Sequence, residues 1–509
     1  MTKLSAADLS PPEKLATGID GFDHISMGGL PKGRATVVAG SSGAGKTIFM
    51  VELLVRGALQ FGRNAVYVSL EERPEDLARN VKRFGWHLDR LVEDGRLWII
   101  NASPDTEAIE QVGQFELDGL LVQIRHAMKT INADTVFIDS IDALFNRFDA
   151  NALLRREIYR IVDQLKLAGA TSVLTIERVA EYGMISRHGI EEFVSDNVVI
   201  LRNVLHEEKV RRTIQILKMR GDMHYKGEYP FTISHGGVSI LPLAARELKQ
   251  SSTNIRVGFG NADLDRMAGG GLFRDSIILV SGPTGCGKTL MASTFAAQGC
   301  RDGERVLYLA YEESPQQLLR NAESWSLEFS RWQQDGTLRV ICSYPEAMGL
   351  EDHLLVIQRE IETFKPSRLI VDSVSAMERV GSVRYFREFV VGLCSYAKQQ
   401  EVCSLFTSTT PRLSGGDSIT EAHISTITDS IILLRYVEIE GHIRRGIAVM
   451  KMRGSQHAKQ VYEFTIDNKG LHIARPFQHV QNIVLGVPSL VHRPDGEPDT
   501  AAIDDLFAL

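Results

Sequence analysis

At 509 residues the chain is too long for one ordinary hydrophobic core, so two or more domains are expected. Its residues are 44% hydrophobic and 24% charged, and its net charge of −7 argues against a general nucleic-acid-coating protein. No apolar run is long enough to span a bilayer, and the N-terminus lacks the apolar stretch of a signal peptide. The five cysteines form no C-x-x-C pair, which indicates reduced thiols, most of them in the core of a cytoplasmic protein.

Internal repeats divide the chain into two similar halves. Residues 17–47 (TGIDGFDHISMGGLPKGRATVVAGSSGAGKT) match residues 257–289 (VGFGNADLDRMAGGGLFRDSIILVSGPTGCGKT). The lysines that end these glycine-rich loops are 242 positions apart, and Glu72 and Glu313 are 241 apart. The later pairs VFIDS/LIVDS, LKMRG/MKMRG and YPFTI/YEFTI are 233 apart. We therefore predict two tandem domains, 1–246 and 247–487, a polar linker near 245–256, and a partly disordered tail at 488–509.

The change of offset predicts about eight additional residues in the first half, between Glu72 and Asp139. The polar segment ASPDTEAIEQVGQFELDG, against CSYPEAMGLED in the second half, is the expected position. A loop that only one copy carries is often where a copy-specific partner binds, although a neutral surface insertion fits equally well.

Each half contains the P-loop signature G-x-x-x-x-G-K-[ST] between an apolar β-branched run and a helical pattern. Glycines allow backbone N–H groups to surround phosphates, the lysine reaches the outer phosphates, and the threonine hydroxyl binds Mg²⁺. The predicted ATP contacts are Gly40, Ser42, Gly43, Gly45, Lys46 and Thr47 in the first half and Gly282, Thr284, Gly285, Gly287, Lys288 and Thr289 in the second.

A metal site is predicted beside each P-loop. Asp139 and Asp372 each end an apolar strand (TVFID, RLIVD), the position from which a carboxylate binds Mg²⁺ in P-loop proteins. A strand-end aspartate can also simply cap a turn, but both halves repeat the same context. The predicted metal ligands are Thr47, Asp139, Thr289, Glu312 and Asp372.

Two pairs of glutamates follow the next apolar strand after each P-loop helix: Glu71–Glu72 and Glu312–Glu313. A carboxylate at the carboxyl end of such a strand can polarise an attacking water or accept a hydroxyl proton. The alternative is a pair of solvated acids at a helix start, because Pro74 and Pro315 follow at positions typical of a first helical turn. Position at the strand end favours the catalytic interpretation.

Cationic residues of the KMRG segments occupy alternate positions of a late strand, so that each pair shares one face. The pairs are Lys218 with Arg220 and Lys451 with Arg453. They can contact the nucleotide of a neighbouring subunit, as arginine fingers do, or form a cationic rim of the sheet. The sequence favours the two interpretations equally.

The halves differ where the second carries hydroxyls. With the offset of 233, Ser425 corresponds to Glu192, Thr426 to Phe193 and Thr420 to Arg187, and Arg379 corresponds to Asn146. A Ser-Thr pair near an ATP site can accept a phosphoryl group, which Arg379 can then bind. An ordinary polar loop or helix cap is the simpler interpretation of the residues alone.

From about residue 14 to residue 490 the chain resembles the KaiC family, the double-domain ATPases and autokinases of the circadian clock. The resemblance rests on both P-loops, both glutamate pairs, the two KMRG segments and the block SITEAHISTITDSIILLRYVEIEG. It implies an α/β fold of two tandem RecA-like P-loop NTPase domains, each a mostly parallel twisted sheet flanked by helices. It also implies a homohexamer with ATP and Mg²⁺ between subunits.

The same resemblance implies roles for individual residues. The first half would hydrolyse ATP with Glu71 and Glu72, and the second would phosphorylate Ser425 and Thr426 of a neighbouring subunit and remove those phosphates again. Glu312 would be the general base, and Thr420 would assist. The implied nucleotide contacts are Trp325 at the adenine, and Lys218, Arg220, His224, Lys451, Arg453 and His457 from the neighbouring subunit.

The resemblance also implies partners. The additional first-half segment, about Glu110–Leu117, corresponds to the binding site of the family's partner KaiB. The ending HRPDGEPDTAAIDDLFAL differs from the family's usual tail, which KaiA binds, so regulation by a KaiA-like protein is the part that this chain does not support. Two other functions compete: a RecA- or RadA-like DNA-dependent ATPase, and an ATP-binding hexameric scaffold without kinase activity. Neither membrane nor nucleic acid is an expected partner.

Overall fold

The computed structural model describes residues 13–103, 114–145, 151–183, 195–206, 209–241, 253–410, 424–439, 441–478, 480–484 and 489–490. The chain divides into two compact units, residues 1–246 and 247–509, and a nine-stranded sheet forms the centre of each. None of the described helices has the length and apolar character that crossing a bilayer requires.

The first unit alternates strands and helices over most of its length. The apolar β-branched run that precedes the P-loop forms a strand in which all six residues are buried, because helices cover both faces of the sheet. Its elements are β1 (Lys14–Leu15), α1 (Phe22–Ile25), β2 (Leu30–Pro31), β3 (Ala35–Gly40), α2 (Lys46–Phe61), β4 (Ala65–Ser69), α3 (Pro74–Val81), a 3₁₀ turn (Lys82–Phe84), α4 (Leu88–Glu93), β5 (Leu97–Asn101), α5 (Gln114–Ile131), β6 (Thr135–Asp139), α6 (Asp142–Phe145), α7 (Asn151–Leu167), β7 (Thr171–Glu177), β8 (Asn197–His206), β9 (Lys209–Met219), β10 (Glu228–Ser234) and β11 (Gly237–Ile240).

The first sheet has the strand order β5-β4-β6-β7-β3-β8-β9-β10-β11. Strands β3 to β8 pair in parallel, and β9 to β11 continue the sheet as antiparallel strands. Two buried apolar clusters lie on its two faces. Because β3 lies between β7 and β8 rather than beside β4, a crevice opens at the carboxyl ends of the strands, the usual ligand position in such sheets.

The second unit repeats this arrangement. Its elements are β12 (Arg256–Val257), α8 (Ala262–Met267), β13 (Leu272–Phe273), β14 (Ile277–Gly282), α9 (Lys288–Arg301), β15 (Val306–Ala310), α10 (Pro315–Ser324), α11 (Phe329–Gln334), β16 (Leu338–Cys342), a 3₁₀ turn (Pro345–Ala347), α12 (Leu350–Phe364), β17 (Arg368–Asp372), a 3₁₀ helix (Val374–Arg379), α13 (Val383–Gln399), β18 (Cys403–Thr409), β19 (Ser430–Ile439), β20 (His442–Met452), β21 (Tyr462–Asp467), β22 (Gly470–Pro476), β23 (Val480–Gln481) and β24 (Ser489–Leu490).

The second sheet has the strand order β16-β15-β17-β18-β14-β19-β20-β21-β22, which is the order of the first sheet strand for strand. Its P-loop strand β14 likewise lies between two parallel neighbours, β18 and β19. The predicted fold class, two α/β units with mostly parallel sheets and flanking helices, is therefore confirmed, and the sequence repeat corresponds to a repeated topology.

The additional residues of the first half lie where the change of offset predicts them. Twelve residues separate β5 from α5, whereas seven separate β16 from α12, and α5 has 18 residues against 15 in α12. These two differences account for all eight additional residues. Most of the connecting segment, 104–113, lies outside the described residues.

Beyond Asp139 and Asp372, here called the Walker aspartates, the number of positions between equivalent residues of the two units is not constant. Thr175 pairs with Val38 of β3 and Thr407 pairs with Val280 of β14, which makes β7 and β18 equivalent at an offset of 232. From β8 and β19 onwards the offset returns to 233. The assumed constant offset of 233 was therefore wrong by one residue over these two strands.

The predicted linker at 245–256 lies mostly outside the described residues, but its last residue is part of a strand. Arg256 pairs with Phe273 in the β12–β13 ladder and donates from Nη1 to the Gly271 carbonyl at 2.6 Å. The second unit therefore begins before the predicted end of the linker.

All five cysteines are unpaired thiols, and four of them are buried. Burial raises the pKa of Cys394 and Cys403 to about 12, so these thiols stay protonated at neutral pH. Their position agrees with the prediction of reduced core residues.

Candidate nucleotide sites

The first P-loop connects the end of β3 at Gly40 to the start of α2 at Lys46. Gly43 has φ 76° and Gly45 has φ 96°, left-handed values that favour glycine. Because glycine offers no side chain to cap the helix, the N–H groups of the first turn of α2 remain available to an anion. The Lys46 ammonium lies across the loop, with Nζ 2.9 Å from the Gly40 carbonyl and 3.0 Å from that of Ser41.

The second P-loop has the same geometry between β14 and α9. Gly285 has φ 79° and Gly287 has φ 107°. Lys288 donates from Nζ to the carbonyls of Gly282 and Pro283, both at 2.9 Å. Both loops therefore present an anion-binding helix start and a lysine, which is what a triphosphate requires. Ser42 and Thr284 are exposed within these loops.

Oxygen donors gather beside the first P-loop. Thr47 donates from Oγ1 to Oδ2 of Asp139 at 2.8 Å, and the Tyr67 hydroxyl donates to the same oxygen at 2.9 Å. Thr175 donates to the other carboxylate oxygen. A hydroxyl and a carboxylate are ligands that Mg²⁺ prefers, so Thr47 and Asp139 fit the predicted metal.

The second unit has an equivalent aspartate environment. Asp372 accepts hydrogen bonds from the Tyr308 hydroxyl at 3.0 Å and from Thr407. A small pocket of about 30 Å³, large enough for a water-sized group, is lined by Thr289, Ala310, Glu312, Glu313, Leu318 and Asp372. It brings together four predicted residues of the second site, and their oxygens fit Mg²⁺.

The acidic residues around the two sites differ. In the first unit Ser140 donates from Oγ to Oε1 of Glu71 at 2.7 Å and lies 3.4 Å from Oδ2 of Asp142. Asp142 accepts the Glu177 N–H at 2.5 Å, and burial raises its pKa to about 6. In the second unit Ser375 occupies the position of Asp142, so the second copy has one carboxylate fewer there.

Both glutamate pairs lie between a strand and a helix that begins at proline. Asn80 of α3 donates to Glu72 at 3.5 Å, and Asn321 of α10 donates to Glu313 at 3.3 Å. Burial is the largest cause that raises the pKa of Glu72 and of Glu313. The strand-end position and the helix start coincide, so this geometry is compatible with both interpretations of the pairs.

The cationic pairs only partly follow their predicted positions. Lys218 and Lys451 lie in β9 and β20, but Arg220 and Arg453 come one residue after each strand ends. The prediction that all four occupy strand positions was therefore wrong for the arginines, because each strand ends at the preceding methionine.

Contacts of these cations are local to their own unit. Lys218 donates from Nζ to the Ser195 carbonyl at 2.8 Å. Lys451 donates to the carbonyls of Ser425 and Thr428, and Arg453 donates from Nη2 to that of Thr426, each at 2.7 Å. The predicted phosphoacceptors and the predicted nucleotide-binding cations of the second unit are therefore in direct contact.

The remaining predicted residues are dispersed. Trp325 follows the last residue of α10 and packs against the second core. Arg379 ends a 3₁₀ helix and pairs with Glu346 at 3.3 Å. His224 and His457 are half-buried after β9 and β20, and burial lowers the pKa of His224. Thr420, residues 110–113 and the comparison positions Asn146, Arg187, Glu192 and Phe193 lie outside the described residues.

Several residues of the sites went unpredicted. The hydroxyls of Tyr67 and Tyr308 bind the two Walker aspartates, as do Thr175 and Thr407. Each pair is identical at equivalent positions of the two units, a signal that the sequence contains. The assumed constant offset of 233 concealed it for the threonines.

Comparison with known proteins agrees with this geometry. The family model described as "ATPase: KaiC" matches residues 15–245 and again residues 257–477. The circadian clock oscillator protein KaiC of Synechococcus elongatus is 51% identical over 94% of this chain and 92% of its own length. The circadian clock protein KaiC3 of Synechocystis sp. is 51% identical over 97% of this chain and 98% of its own length. The KaiC of Thermostichus vulcanus is 50% identical over 96% of each chain.

The two family matches coincide with the two P-loop units, and the sequence relatives extend across both. Each unit has the sheet order, P-loop and Walker aspartate that a RecA-like ATPase requires. The chain therefore belongs to the KaiC family of ATPases, with two tandem RecA-like domains.

Proposed function

We propose that this protein is a clock-type ATPase that phosphorylates itself. Residues 1–246 hydrolyse ATP, and residues 247–487 transfer the γ-phosphoryl group to Ser425 and Thr426 of a neighbouring copy and reverse that transfer. The observation that carries the proposal is the pocket formed by Thr289, Glu312, Glu313 and Asp372, beside a P-loop in the unit that also has the acceptor hydroxyls.

In the first unit the chain's residues bind and orient the nucleotide. The P-loop N–H groups and Lys46 bind the phosphates, and Thr47 and Asp139 would hold Mg²⁺, which would neutralise charge on the phosphates. Glu71 and Glu72 orient the attacking water and take its proton. Ser140 donates to Glu71 at 2.7 Å and so determines which of its oxygens faces the reaction.

In the second unit the acceptor is a hydroxyl instead of water. The Ser425 or Thr426 oxygen attacks the γ-phosphorus, the bond to the β-bridging oxygen breaks, and ADP leaves. The hydroxyl proton goes to Glu312. Thr289, Glu312 and Asp372 would hold Mg²⁺. Trp325 and His457 contact the nucleotide, and Arg379 binds the phosphate that forms, with Thr420 assisting.

Assembly completes both sites. The acceptor and the cations of one copy serve the P-loop of the next, so the functional unit is a homohexamer with ATP between subunits. Lys218, Arg220 and His224 play the corresponding part in the first unit. The names of the relatives support a role in circadian timing, and we expect the protein in the cytoplasm.

A KaiB-like partner binds the first unit near residues 110–117. Leu117 is only 3% exposed and belongs to the hydrophobic core under α5. The contacting residues are therefore those that precede it. The segment is longer than its second-unit counterpart, which gives the first unit a surface of its own.

The test is incubation of the purified full chain with γ-labelled ATP and Mg²⁺, followed by phosphopeptide mapping. Label on Ser425 or Thr426 that Glu312→Gln abolishes supports the proposal. ATP hydrolysis without label would leave an ATPase or scaffold only, and stimulation of hydrolysis by DNA would favour the recombinase-like alternative.

A further inference from the structure

The proposed acceptor residues lie in a short helical turn just before β19, and the backbone carbonyls of this turn accept hydrogen bonds from side chains. Ile427 and Thr428 donate their N–H groups to the Ile424 carbonyl at 2.9 and 3.1 Å, and β19 begins soon afterwards at Ser430. The Thr428 hydroxyl also donates to the Ser425 carbonyl, at 3.4 Å. Side-chain donors therefore contribute to holding this segment in one conformation.

Lys451 and Arg453 supply those donors. The Lys451 ammonium bridges the carbonyls of Ser425 and Thr428, and the Arg453 guanidinium binds the carbonyl of Thr426, each at 2.7 Å. Arg453 is oriented by Asp429, 3.5 Å away, which also pairs with Lys398 at 2.8 Å. The carbonyls on both acceptor residues are thus contacted by cations from the end of β20.

The position of the two cations is rigid because the backbone is tied at the same point. The Arg453 N–H donates to the Asp429 carbonyl at 2.9 Å, and the Asp429 N–H donates to Ile277 at the start of β14 at 2.9 Å. β14 leads directly into the second P-loop. The acceptor turn, the cations and the P-loop strand therefore share one hydrogen-bonded frame.

Deepening the proposed autokinase function, on which this inference rests, we propose that Lys451 and Arg453 are positioning residues for phosphoryl transfer. They hold the backbone of residues 425–428 so that the Ser425 and Thr426 hydroxyls are presented to the γ-phosphate of the neighbouring copy. Lys451 fixes the position of the Ser425 backbone and Arg453 fixes that of the Thr426 backbone. The two cations together therefore determine which hydroxyl reacts.

This role is compatible with a contact to the nucleotide. An ammonium has three N–H donors, and two of those on Lys451 bind carbonyls among the described residues. The third can contact a phosphate without releasing the turn. Lys451 then contacts both the segment that carries the acceptor hydroxyls and the phosphate of the ATP that donates the phosphoryl group. A small displacement of either reacting group lowers the rate of transfer strongly.

The experiment measures Ser425 and Thr426 labelling separately in the full chain, as a function of ATP concentration. Lys451→Met keeps the stem and removes the donors. We expect kcat for labelling at saturating ATP to fall at least about tenfold, with a changed Ser425:Thr426 ratio. Lys451→Arg restores donors and should recover most of the rate. Arg453→Met should reduce label on Thr426 more than on Ser425.

Lys218→Met is the matched change in the first unit, where Lys218 holds the Ser195 carbonyl and belongs to the proposed nucleotide contacts. We expect it to lower ATP hydrolysis by the first unit and to leave the Ser425:Thr426 ratio unchanged. The inference is overturned if Lys451→Met and Arg453→Met raise only the KM for ATP and lower both labels by one common factor. Should Lys451→Met not fold, Arg453→Met decides alone, since its side chain is 53% exposed. Absence of label in the unmodified protein would remove the autokinase proposal itself.

Discussion

Asp142 is a residue at which the two ATP sites differ in charge. Its carboxyl is half-buried beside Ser140 and the Glu177 N–H, and burial raises its pKa to about 6, whereas the second unit has Ser375. Asp142 thus adds a carboxylate with a raised pKa close to Glu71 in the first site. The second site has hydroxyls, Ser373 and Ser375, 3.0 Å apart at the same place.

Asp142→Asn should change how stability depends on pH. The folded pKa of about 6 lies above the ordinary value of 3.8, so the folded protein binds the proton more tightly and loses stability as pH rises from about 4 through 6. Asn resembles the protonated form and avoids this loss. We expect the variant to match the parent at pH 4 and to exceed it by about 1–2 kcal/mol at pH 8. Urea midpoints at both pH values measure this, and an equal difference at both would contradict it.

Tyr67→Phe should weaken the first site without altering its shape. Burial raises the pKa of Tyr67, so its hydroxyl remains a donor to Asp139 at neutral pH. Removal of a partner that orients a metal ligand typically costs about tenfold or more. We expect first-unit ATP hydrolysis to fall by roughly that factor. Tyr308→Phe, the matched change at Asp372, should lower labelling of Ser425 and Thr426 instead; identical effects of both variants would refute this division.

At the scale of elements, the start of the helix that follows each P-loop offers the backbone N–H groups that bind phosphate. Helix α2 has a glycine at each end in a left-handed conformation, Gly45 at φ 96° and Gly62 at φ 65°. Only the first of them faces the loop that surrounds phosphates. A substitution at Gly62 therefore serves as a control for one at Gly45, because it introduces backbone strain away from the phosphate-binding loop.

Gly45→Ala should reduce both stability and ATP binding. A Cβ there would lie 2.7 Å from Cδ1 of Ile233 and would also force a non-glycine residue into the left-handed region, at about 1–2 kcal/mol for the strain alone. Gly62→Ala also places a side chain in the left-handed region, with less strain at φ 65° than at φ 96° and with open space around its Cβ. We expect Gly62→Ala to lower Tm while ATP affinity is kept, and Gly45→Ala to lower both. Unchanged ATP affinity in Gly45→Ala would exclude a role for this loop in binding.

The whole molecule contains one fold twice, with identical strand order and one Walker aspartate per unit. The units differ in small additions: eight residues around the start of α5, one half-buried carboxylate in the first site, and the hydroxyls of Ser425 and Thr426 in the second. Under the proposed function, these local changes on a common sheet divide one chemistry, transfer of a phosphoryl group, between water in the first unit and a side chain in the second.

Lys46→Ala and Lys288→Ala test this division in the full chain. Loss of the P-loop lysine removes the cation that reaches the outer phosphates. We expect Lys46→Ala to abolish most steady-state ATP hydrolysis while label on Ser425 and Thr426 persists. Lys288→Ala should do the reverse. ADP release and phosphopeptide label, measured on the same samples, distinguish the outcomes, and equal loss of both activities in each variant would count against separate roles.

Much of this protein was determined by the sequence itself. The repeat, the P-loops and the strand-end aspartates depend on local backbone preferences and on residues close along the chain, so two α/β units with a nucleotide loop each could be predicted directly. The position of the additional first-half residues could be predicted by counting the residues between motifs that occur in both halves. This works because equivalent strands of the two sheets have equivalent positions, so that differences in length fall in the connections and helix ends.

Tertiary structure alone decided which distant side chains meet. Tyr67, Thr175 and Asp139 come from three strands that are adjacent only in the folded sheet, and Ser140 reaches Glu71 across 69 positions. Lys451 and Arg453 looked like residues for a neighbouring nucleotide, and the fold also brings them to the carbonyls of Ser425 and Thr426. Sequence spacing predicts contacts within one helix or strand. Contacts between elements depend on which strands are neighbours in the sheet, and in a sheet with crossover connections the neighbours are not consecutive along the chain.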